Sequence, residues 1–138
     1  MDDYTNTLVV VADDCPAAVA KIPEPKGGKP TIASLEYELL TAHPYTYTRD
    51  DLLYEVHVRR LGLSTEELKS RGAGIRAELV AKPHPCMRAS PLPKTYGWGV
   101  FHDSQSRIAL VPLGSAEYAR LATDKTVTVL KAMRSKRG

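Results

Sequence analysis

The segment from Pro83 to Gly99 limits the fold of this chain more than any other feature of the sequence. It reads P-H-P-C-M-R-A-S-P-L-P-K-T-Y-G-W-G and holds four prolines and two glycines. Because proline lacks an N–H group and glycine weakens regular structure, this composition excludes a regular helix and most of a regular strand. The segment also carries a thiol, an imidazole, two cations and the only tryptophan of the chain. A rigid, irregular loop with so many polar and aromatic groups is typical of a functional site.

Before this segment the sequence first predicts a strand, a short helix and a loop. Residues Thr7–Ala12, which read T-L-V-V-V-A, are few and mostly β-branched, and they predict a central strand. Pro16 suits the first position of a helix, so we expect a helix over Pro16–Lys21. The run P-E-P-K-G-G-K-P over Pro23–Pro30 has no apolar anchor and predicts a flexible loop.

Three helix starts follow in the same half of the chain. Thr31 stands before apolar residues at helical spacing and is a candidate N-cap. Thr48 and Asp51 have the three-residue separation of a capping box. Ser64 and Glu67 form a second and clearer capping box. The sequence therefore predicts three consecutive helices ahead of the proline-rich segment.

After the proline-rich segment the hydrophobic period changes to two, which indicates strands. Gly97–His102 and Arg107–Pro112 are predicted strands, and the four residues between them match the loop of a β-hairpin. Ser115 is a candidate N-cap for a short helix that ends near Thr123. Thr126–Leu130 is rich in β-branched residues and predicts the last strand.

These elements predict a single α+β domain over residues 1–138. We expect an antiparallel sheet of about four strands with three or four helices packed on it. The longest continuous apolar run, Leu8–Ala12, is far shorter than the ~20 residues of a membrane span, so we expect no membrane contact. Met1–Tyr4 is acidic and lacks the features of a signal peptide, which predicts a cytoplasmic location with reduced thiols at Cys15 and Cys86.

Charge is distributed unevenly between the two halves of the chain. Residues 1–68 hold 6 Lys and Arg against 12 Asp and Glu, whereas residues 69–138 hold 13 against 4. Residues 134–138 form a basic tail. The positive half favours an anionic ligand or nucleic-acid phosphates, although the chain lacks an RNA-binding sheet signature and a clear recognition helix. Two other interpretations are that the halves lie against each other within one domain or across a homodimer.

The polar and aromatic side chains in and just after the segment form a candidate ligand site. Arginine offers a planar fork for a carboxylate or phosphate, lysine a point charge, and serine and tyrosine their hydroxyl groups. Because tryptophan adds a flat apolar wall, we expect a small anionic or planar ligand. The alternative is that the tryptophan belongs to the core and that both cations are solvated. The predicted ligand-binding residues are Arg88, Ser90, Lys94, Tyr96, Trp98 and His102.

Cys86 and His102 are candidate catalytic residues. Nearby cations stabilise a thiolate, and His102 or His84 would serve as the base that a cysteine nucleophile needs. No Cys-hydrolase signature surrounds Cys86, so a thiol-dependent enzyme is a second hypothesis beside ligand binding, and a nucleic-acid or protein-interaction module is a third. Zinc accepts thiol and imidazole donors, but the spacing of Cys15, His84, Cys86 and His102 does not match a closed zinc site. We therefore expect no metal and no cofactor.

Four sequence segments resemble a family of small uncharacterised bacterial proteins, a domain of unknown function. D-C-P at Asp14–Pro16 and Y-x-Y-T-x-D-D at Tyr45–Asp51 are the first two. The others are P-C-x-R-x-S-P-L-x-K-x-Y-G-W-G at Pro85–Gly99 and K-A-M-R-S-K-R at Lys131–Arg137. Together they span most of the chain. The resemblance implies membership and a domain extent, and it assigns no activity and no catalytic residues.

Overall fold

The structure, a computed structural model, describes residues 4–84 and 86–134. Within this part of the chain four strands and four α-helices form an α+β fold. The strands are β1 (Thr7–Val10), β2 (Trp98–His102), β3 (Ile108–Pro112) and β4 (Thr128–Lys131). The helices are α1 (Ile32–Ala42), α2 (Arg49–Leu61), α3 (Thr65–Ala81) and α4 (Ala116–Thr123).

The four strands form one mixed sheet in the order β3-β2-β1-β4. β2 pairs antiparallel with both β1 and β3, as the hairpin pattern predicts. β4 pairs parallel with β1, with Leu8 opposite Val129, so the prediction of a wholly antiparallel sheet was wrong. The reason is that α4 carries the chain from one edge of the sheet to the other. A crossover helix of this kind returns the next strand in the direction of the previous one, whereas a hairpin turn reverses it.

The predicted helix caps are present at all three starts. The Thr48 hydroxyl accepts a hydrogen bond from Asp51 N at 3.3 Å, and Thr48 N donates to Asp51 Oδ2 at 3.0 Å. Ser64 and Glu67 exchange the same pair of bonds, both at 3.2 Å. These boxes satisfy backbone N–H groups that have no partner inside a helix. Local chemistry therefore sets where α2 and α3 begin.

The predicted helix over Pro16–Lys21 does not form. The backbone there has no regular structure and lies against the end of the proline-rich segment. Lys21 N donates to Tyr96 O at 2.8 Å, and Trp98 Nε1 donates to Lys21 O at 2.8 Å. These long-range bonds use backbone groups that a helix would need for itself. The signal from Pro16 is therefore overridden by tertiary contacts.

The two faces of the sheet have separate hydrophobic clusters. The larger cluster joins one face of β1, β2 and β3 to α1, α2 and the proline-rich segment. The smaller cluster joins the opposite face to α4, with Leu8, Val111 and Leu121 at its centre. Neighbouring residues of a strand face opposite sides, which is why Leu8 and Val9 belong to different clusters. The proline-rich segment is thus part of the larger core.

The proline-rich segment is more ordered than its composition predicts. A 3₁₀ turn covers Met87–Ala89, and one π-helical turn covers Leu92–Tyr96. Leu92 is fully buried in the larger cluster. Gly97 ends the π-helical turn at a φ of 80°, and a Cβ there would lie 2.7 Å from Val19 O. Glycine is therefore required where the segment passes into β2.

The loop before α1 and the end of the chain lie outside the regular elements of the fold. Residues 24–30 are exposed and contain a tight turn closed by Lys26 and Lys29. Of the predicted basic tail, residues 135–138 lie outside the described residues. No helix within residues 4–84 and 86–134 has the length and apolar character that crossing a membrane requires.

Candidate functional site

A cavity of about 280 Å³ lies between α1, α2 and the first half of the proline-rich segment. We call it the helix cavity. Its apolar walls come mainly from α1, α2 and the 3₁₀ turn, and include Ile32, Leu52, Leu53 and Met87. The polar and titratable side chains that line it are Glu36, Arg49, His84, Cys86 and Ser90.

Glu36 is the most unusual of these side chains. It lies on the buried side of α1, and only 8% of the residue is exposed. Its Oε1 accepts a hydrogen bond of 2.7 Å from the Ser90 hydroxyl. Burial raises the pKa of the Glu36 carboxyl to about 7, and the Ser90 hydrogen bond opposes this rise only in part. Close to neutral pH the carboxyl therefore changes between its protonated and its ionised form.

Ser90 ties Glu36 to the proline-rich segment. Its hydroxyl donates to Glu36 and accepts a hydrogen bond of 3.2 Å from Leu92 N, at the start of the π-helical turn. The residue is 7% exposed, so both bonds are shielded from water. A buried hydrogen bond to a charged group is worth about 1.5–3 kcal/mol. The hydroxyl thus holds the orientation of the carboxyl.

Arg49 attaches the start of α2 to the same segment. Its guanidinium donates to His84 O at 2.7 Å and pairs with Asp50 at 3.1 Å. The side chain is only 9% exposed. A buried guanidinium needs such partners because desolvation of a charge costs several kcal/mol. Arg49 is therefore a positioning element of the cavity wall whose charge is already balanced by Asp50.

His84 and Cys86 line the same cavity but are not joined to each other by a described hydrogen bond. His84 Nε2 lies 2.8 Å from Leu79 O, and since a carbonyl only accepts, this nitrogen carries the proton. Cys86 Sγ accepts a hydrogen bond of 3.2 Å from the Tyr4 hydroxyl. Cys15 is a second free thiol, and its Sγ donates to Ala17 O at 4.0 Å.

His102 is placed outside the helix cavity. It is 2% exposed at the end of β2, and its ring packs edge-on against Tyr4 with 5.2 Å between ring centres. Its Nδ1 is buried without a hydrogen-bond partner in the described part of the chain. Burial lowers the pKa of His102 to about 4, so the ring is neutral near pH 7. Tyr4 contacts both His102 and Cys86, but no described hydrogen bond links these two candidate catalytic residues.

The two predicted cations do not line the helix cavity. Arg88 Nε donates to Lys131 O at 2.6 Å, and Met133 N donates to Arg88 O at 2.8 Å. These bonds fasten the 3₁₀ turn to the end of β4. Lys94 is half-buried within the π-helical turn. The role of either cation in ligand binding stays a prediction.

The predicted aromatic residues also lie away from the helix cavity. Trp98 packs against Tyr37 with 5.3 Å between ring centres, and both Trp98 and Tyr96 contact the larger hydrophobic cluster. Trp98 is half-buried, and its role in ligand binding stays a prediction. Ser90 is thus the one member of the predicted ligand set that lines this cavity.

A second cavity, of about 260 Å³, adjoins the helix cavity. It lies between α1, α2 and the end of α3, and its lining adds His57 and Arg60 on α2. The two cavities form neighbouring parts of one depression because their walls share side chains. The shared residues are Ile32, Glu36, Leu53 and His84.

One family model matches residues 1–138, the whole length of the chain. The chain belongs to DUF6157, a family of unknown function. This confirms the resemblance to an uncharacterised domain family. No curated protein and no solved structure shows significant similarity to this DUF6157 chain.

The sequence analysis did not identify the two buried charged residues of the helix cavity, Glu36 and Arg49. The burial of Glu36 could have been predicted from the sequence. It stands four residues after Ile32 and three before Leu39, and this spacing places it on the apolar side of a predicted helix. A carboxyl at such a position is costly to bury and deserves a functional explanation. Nothing in the sequence indicates that Arg49 is buried, since the first residue of a capped helix is usually exposed.

The metal and nucleic-acid hypotheses involve residues of which the structure describes only a part. Residues 4–84 and 86–134 contain no group of three His, Cys, Asp or Glu side chains arranged to hold a metal ion. On α3, Arg76 is bound to Asp51 at 2.7 Å and lies over the Tyr54 ring. The tail cations Lys136 and Arg137 lie outside the described part of the chain.

Proposed function

We propose that this domain binds a small, flat and largely apolar ligand in the helix cavity. The observation that carries the proposal is the composition of the cavity wall: apolar side chains surround one buried hydrogen-bonded pair, Glu36 and Ser90. Small-molecule sites have this character, because apolar walls supply affinity and a few fixed polar groups supply orientation.

The size of the cavity limits the ligand. Typical small-molecule sites enclose roughly 300–1,000 Å³. At about 280 Å³ the helix cavity lies near the lower end of this range, which suits a molecule built on one ring. Leu52, Leu53 and Met87 would contact the ring, while Glu36 and Ser90 would hold its polar end.

This proposal keeps the planar ligand predicted from the sequence and changes its polar contact. The sequence assigned recognition to Arg88 and Lys94, which favours an anion. Arg88 is bonded to Lys131 O, and neither cation belongs to the cavity wall. The proposal therefore assigns the polar contact to Glu36 on α1 and Ser90 in the proline-rich segment, whose side chains are hydrogen-bonded to each other.

Filling the cavity is expected to weaken the binding of a neutral probe. Benzyl alcohol should shift backbone amide signals around the cavity in NMR titrations of the wild-type protein at millimolar concentrations. Leu53→Trp should weaken this binding at least about 10-fold, because the indole occupies the space that the probe's ring needs. Leu61→Trp is the matched control, since Leu61 is on the same helix and 57% exposed. Equal binding by both variants, or shifts confined to other surfaces, would contradict the proposal.

A thiol-dependent enzyme is the second candidate function. The observation that favours it is that Cys86 and His84 line one cavity while the Tyr4 hydroxyl donates to Cys86 Sγ. A hydrogen bond to sulfur supports its negative form during attack on an electrophile. This function predicts that iodoacetamide alkylates Cys86 several-fold faster than free cysteine at pH 7, and that Tyr4→Phe slows the reaction. Mass spectrometry of the modified peptide measures both rates, and a rate no faster than that of free cysteine removes this candidate.

A further inference from the structure

Glu36 is a buried carboxyl that has no countercharge among the described residues. In the described part of the chain its hydrogen-bond partner is the Ser90 hydroxyl, and no described salt bridge includes it. A buried carboxylate is normally paired with a cation, because desolvation of an unpaired charge is costly. The helix cavity therefore contains an acidic group, Glu36, to which a cation could bind.

None of the described charged and titratable groups around Glu36 forms an ion pair with it. From α2, Arg49 pairs with Asp50. His57 and Arg60 line the adjoining cavity, which Glu36 also lines, but no described hydrogen bond or salt bridge joins either of them to Glu36. From the proline-rich segment, His84 donates its Nε2 proton to Leu79 O, and Cys86 accepts from Tyr4. The pKa of Glu36 reflects this, because burial dominates it and no cationic side chain lowers it.

We infer that the ligand of the helix cavity carries a protonated nitrogen, as a small aromatic amine such as an arylalkylamine does, and that this nitrogen pairs with Glu36. The inference rests on the proposed function and specifies the chemistry of the ligand. The ring would lie against Leu52, Leu53 and Met87, and the ammonium group would complete the ion pair at the polar end. Ser90 would continue to donate to the same carboxylate.

Proton balance gives the inference a distinct signature. Because burial raises the pKa of Glu36 to about 7, part of the free protein carries the carboxyl proton at that pH. An ammonium group pairs with the ionised form, so each protonated carboxyl that binds it releases one proton to solvent. Binding at pH 7 should therefore release protons, at most one per ligand.

Other ligand charges fit this site less well. An anion would place a second negative charge beside Glu36, or would hold the carboxyl in its protonated form and take up a proton on binding. A neutral ligand would gain a hydrogen bond without the charge interaction. The sign of the proton exchange separates the three classes.

The test compares three probes that share one ring and differ in charge: benzylamine, benzyl alcohol and benzoate. NMR titrations of the full chain at pH 7 should show benzylamine binding at least about 10-fold more tightly than benzyl alcohol, with benzoate weakest. Calorimetry in two buffers of different ionisation enthalpy should show proton release with benzylamine only. Glu36→Gln should reduce the affinity for benzylamine to that for benzyl alcohol. Glu38→Gln, an exposed change on the same helix, should leave all three affinities unchanged.

The outcomes separate the inference from the proposed function. Equal cavity binding by benzylamine and benzyl alcohol overturns the inference and leaves the proposed function standing. Tightest binding by benzoate, with proton uptake, also overturns the inference. Failure of all three probes to shift cavity amides overturns both. The proton count needs only the wild-type protein, so the inference remains testable if Glu36→Gln fails to fold.

Discussion

Replacing Glu36 by glutamine is expected to stabilise the protein by about 3 kcal/mol at pH 8 and to leave its stability near pH 4 almost unchanged. The pKa of this carboxyl rises from 4.5 to about 7 on folding, and one pKa unit corresponds to about 1.4 kcal/mol. Glutamine has the same shape and still offers an oxygen to the Ser90 hydroxyl, but it carries no charge at any pH.

The direction of this stability change follows from the number of protons that the folded and the unfolded protein bind. Between pH 4.5 and 7 the folded protein holds a proton on Glu36 that the unfolded chain has lost, so the wild-type protein loses stability as pH rises. Urea unfolding of both proteins from pH 4 to 8 measures the difference. Glu38→Gln should change stability by less than about 0.5 kcal/mol throughout, as expected of an exposed residue. A constant difference between Glu36→Gln and wild type across this range would show that the carboxyl is not desolvated.

Replacing His102 by glutamine is expected to change how stability depends on pH. Burial lowers the pKa of His102 from 6.5 to about 4, so between these values the unfolded chain binds the proton and the folded protein does not. This group alone therefore makes stability rise by about 3 kcal/mol as pH increases through that window. Glu36 contributes a change of similar size and opposite sign.

The wild-type protein should consequently show nearly constant stability between pH 4.5 and 6.5. Of these two contributions, only that of Glu36 remains in His102→Gln, and it should lower stability by about 3 kcal/mol between pH 4.5 and 7. Glutamine keeps a polar group at this position while removing the titration. Urea midpoints at half-unit pH steps measure the slope. A His102→Gln profile parallel to that of the wild type would contradict the buried, neutral state of the ring.

The parts of the fold that depend on local chemistry could be predicted from the sequence. The capping residues Thr48 and Ser64 gave the starts of α2 and α3, because the side chain and the backbone N–H it satisfies are three residues apart. The hairpin of β2 and β3 was predictable for the same reason. The parallel direction of β4 was not, since it depends on which edge of the sheet α4 reaches.

Contacts between distant segments account for the remaining errors. Pro16 carries a helix signal, yet the backbone that follows it bonds to Tyr96 and Trp98 instead. Arg88 stands four residues before the buried Leu92. The 3₁₀ turn that holds Arg88 directs its side chain to Lys131 O at the end of β4. The chemical groups of a loop can be read from its sequence, but the directions of its side chains depend on the turns it adopts.

The candidate site, like the fold, could be predicted from the sequence only in part. The sequence singled out the segment that lines the helix cavity and included Ser90 and Cys86 in its candidates. It missed Glu36, which meets Ser90 from a helix 54 residues earlier in the chain. An isolated carboxyl on the apolar side of a helix was the available signal, and only the packing of α1 against the segment gives it a partner.

The most direct measurement is a crystal structure of the full chain with benzylamine at pH 7. The account predicts the ring between Leu53 and Met87, with the amine nitrogen about 3 Å from the Glu36 carboxylate and Ser90 still bonded to it. Benzylamine bound on another surface, or a carboxyl of Glu36 that faces away from the bound nitrogen, would contradict it.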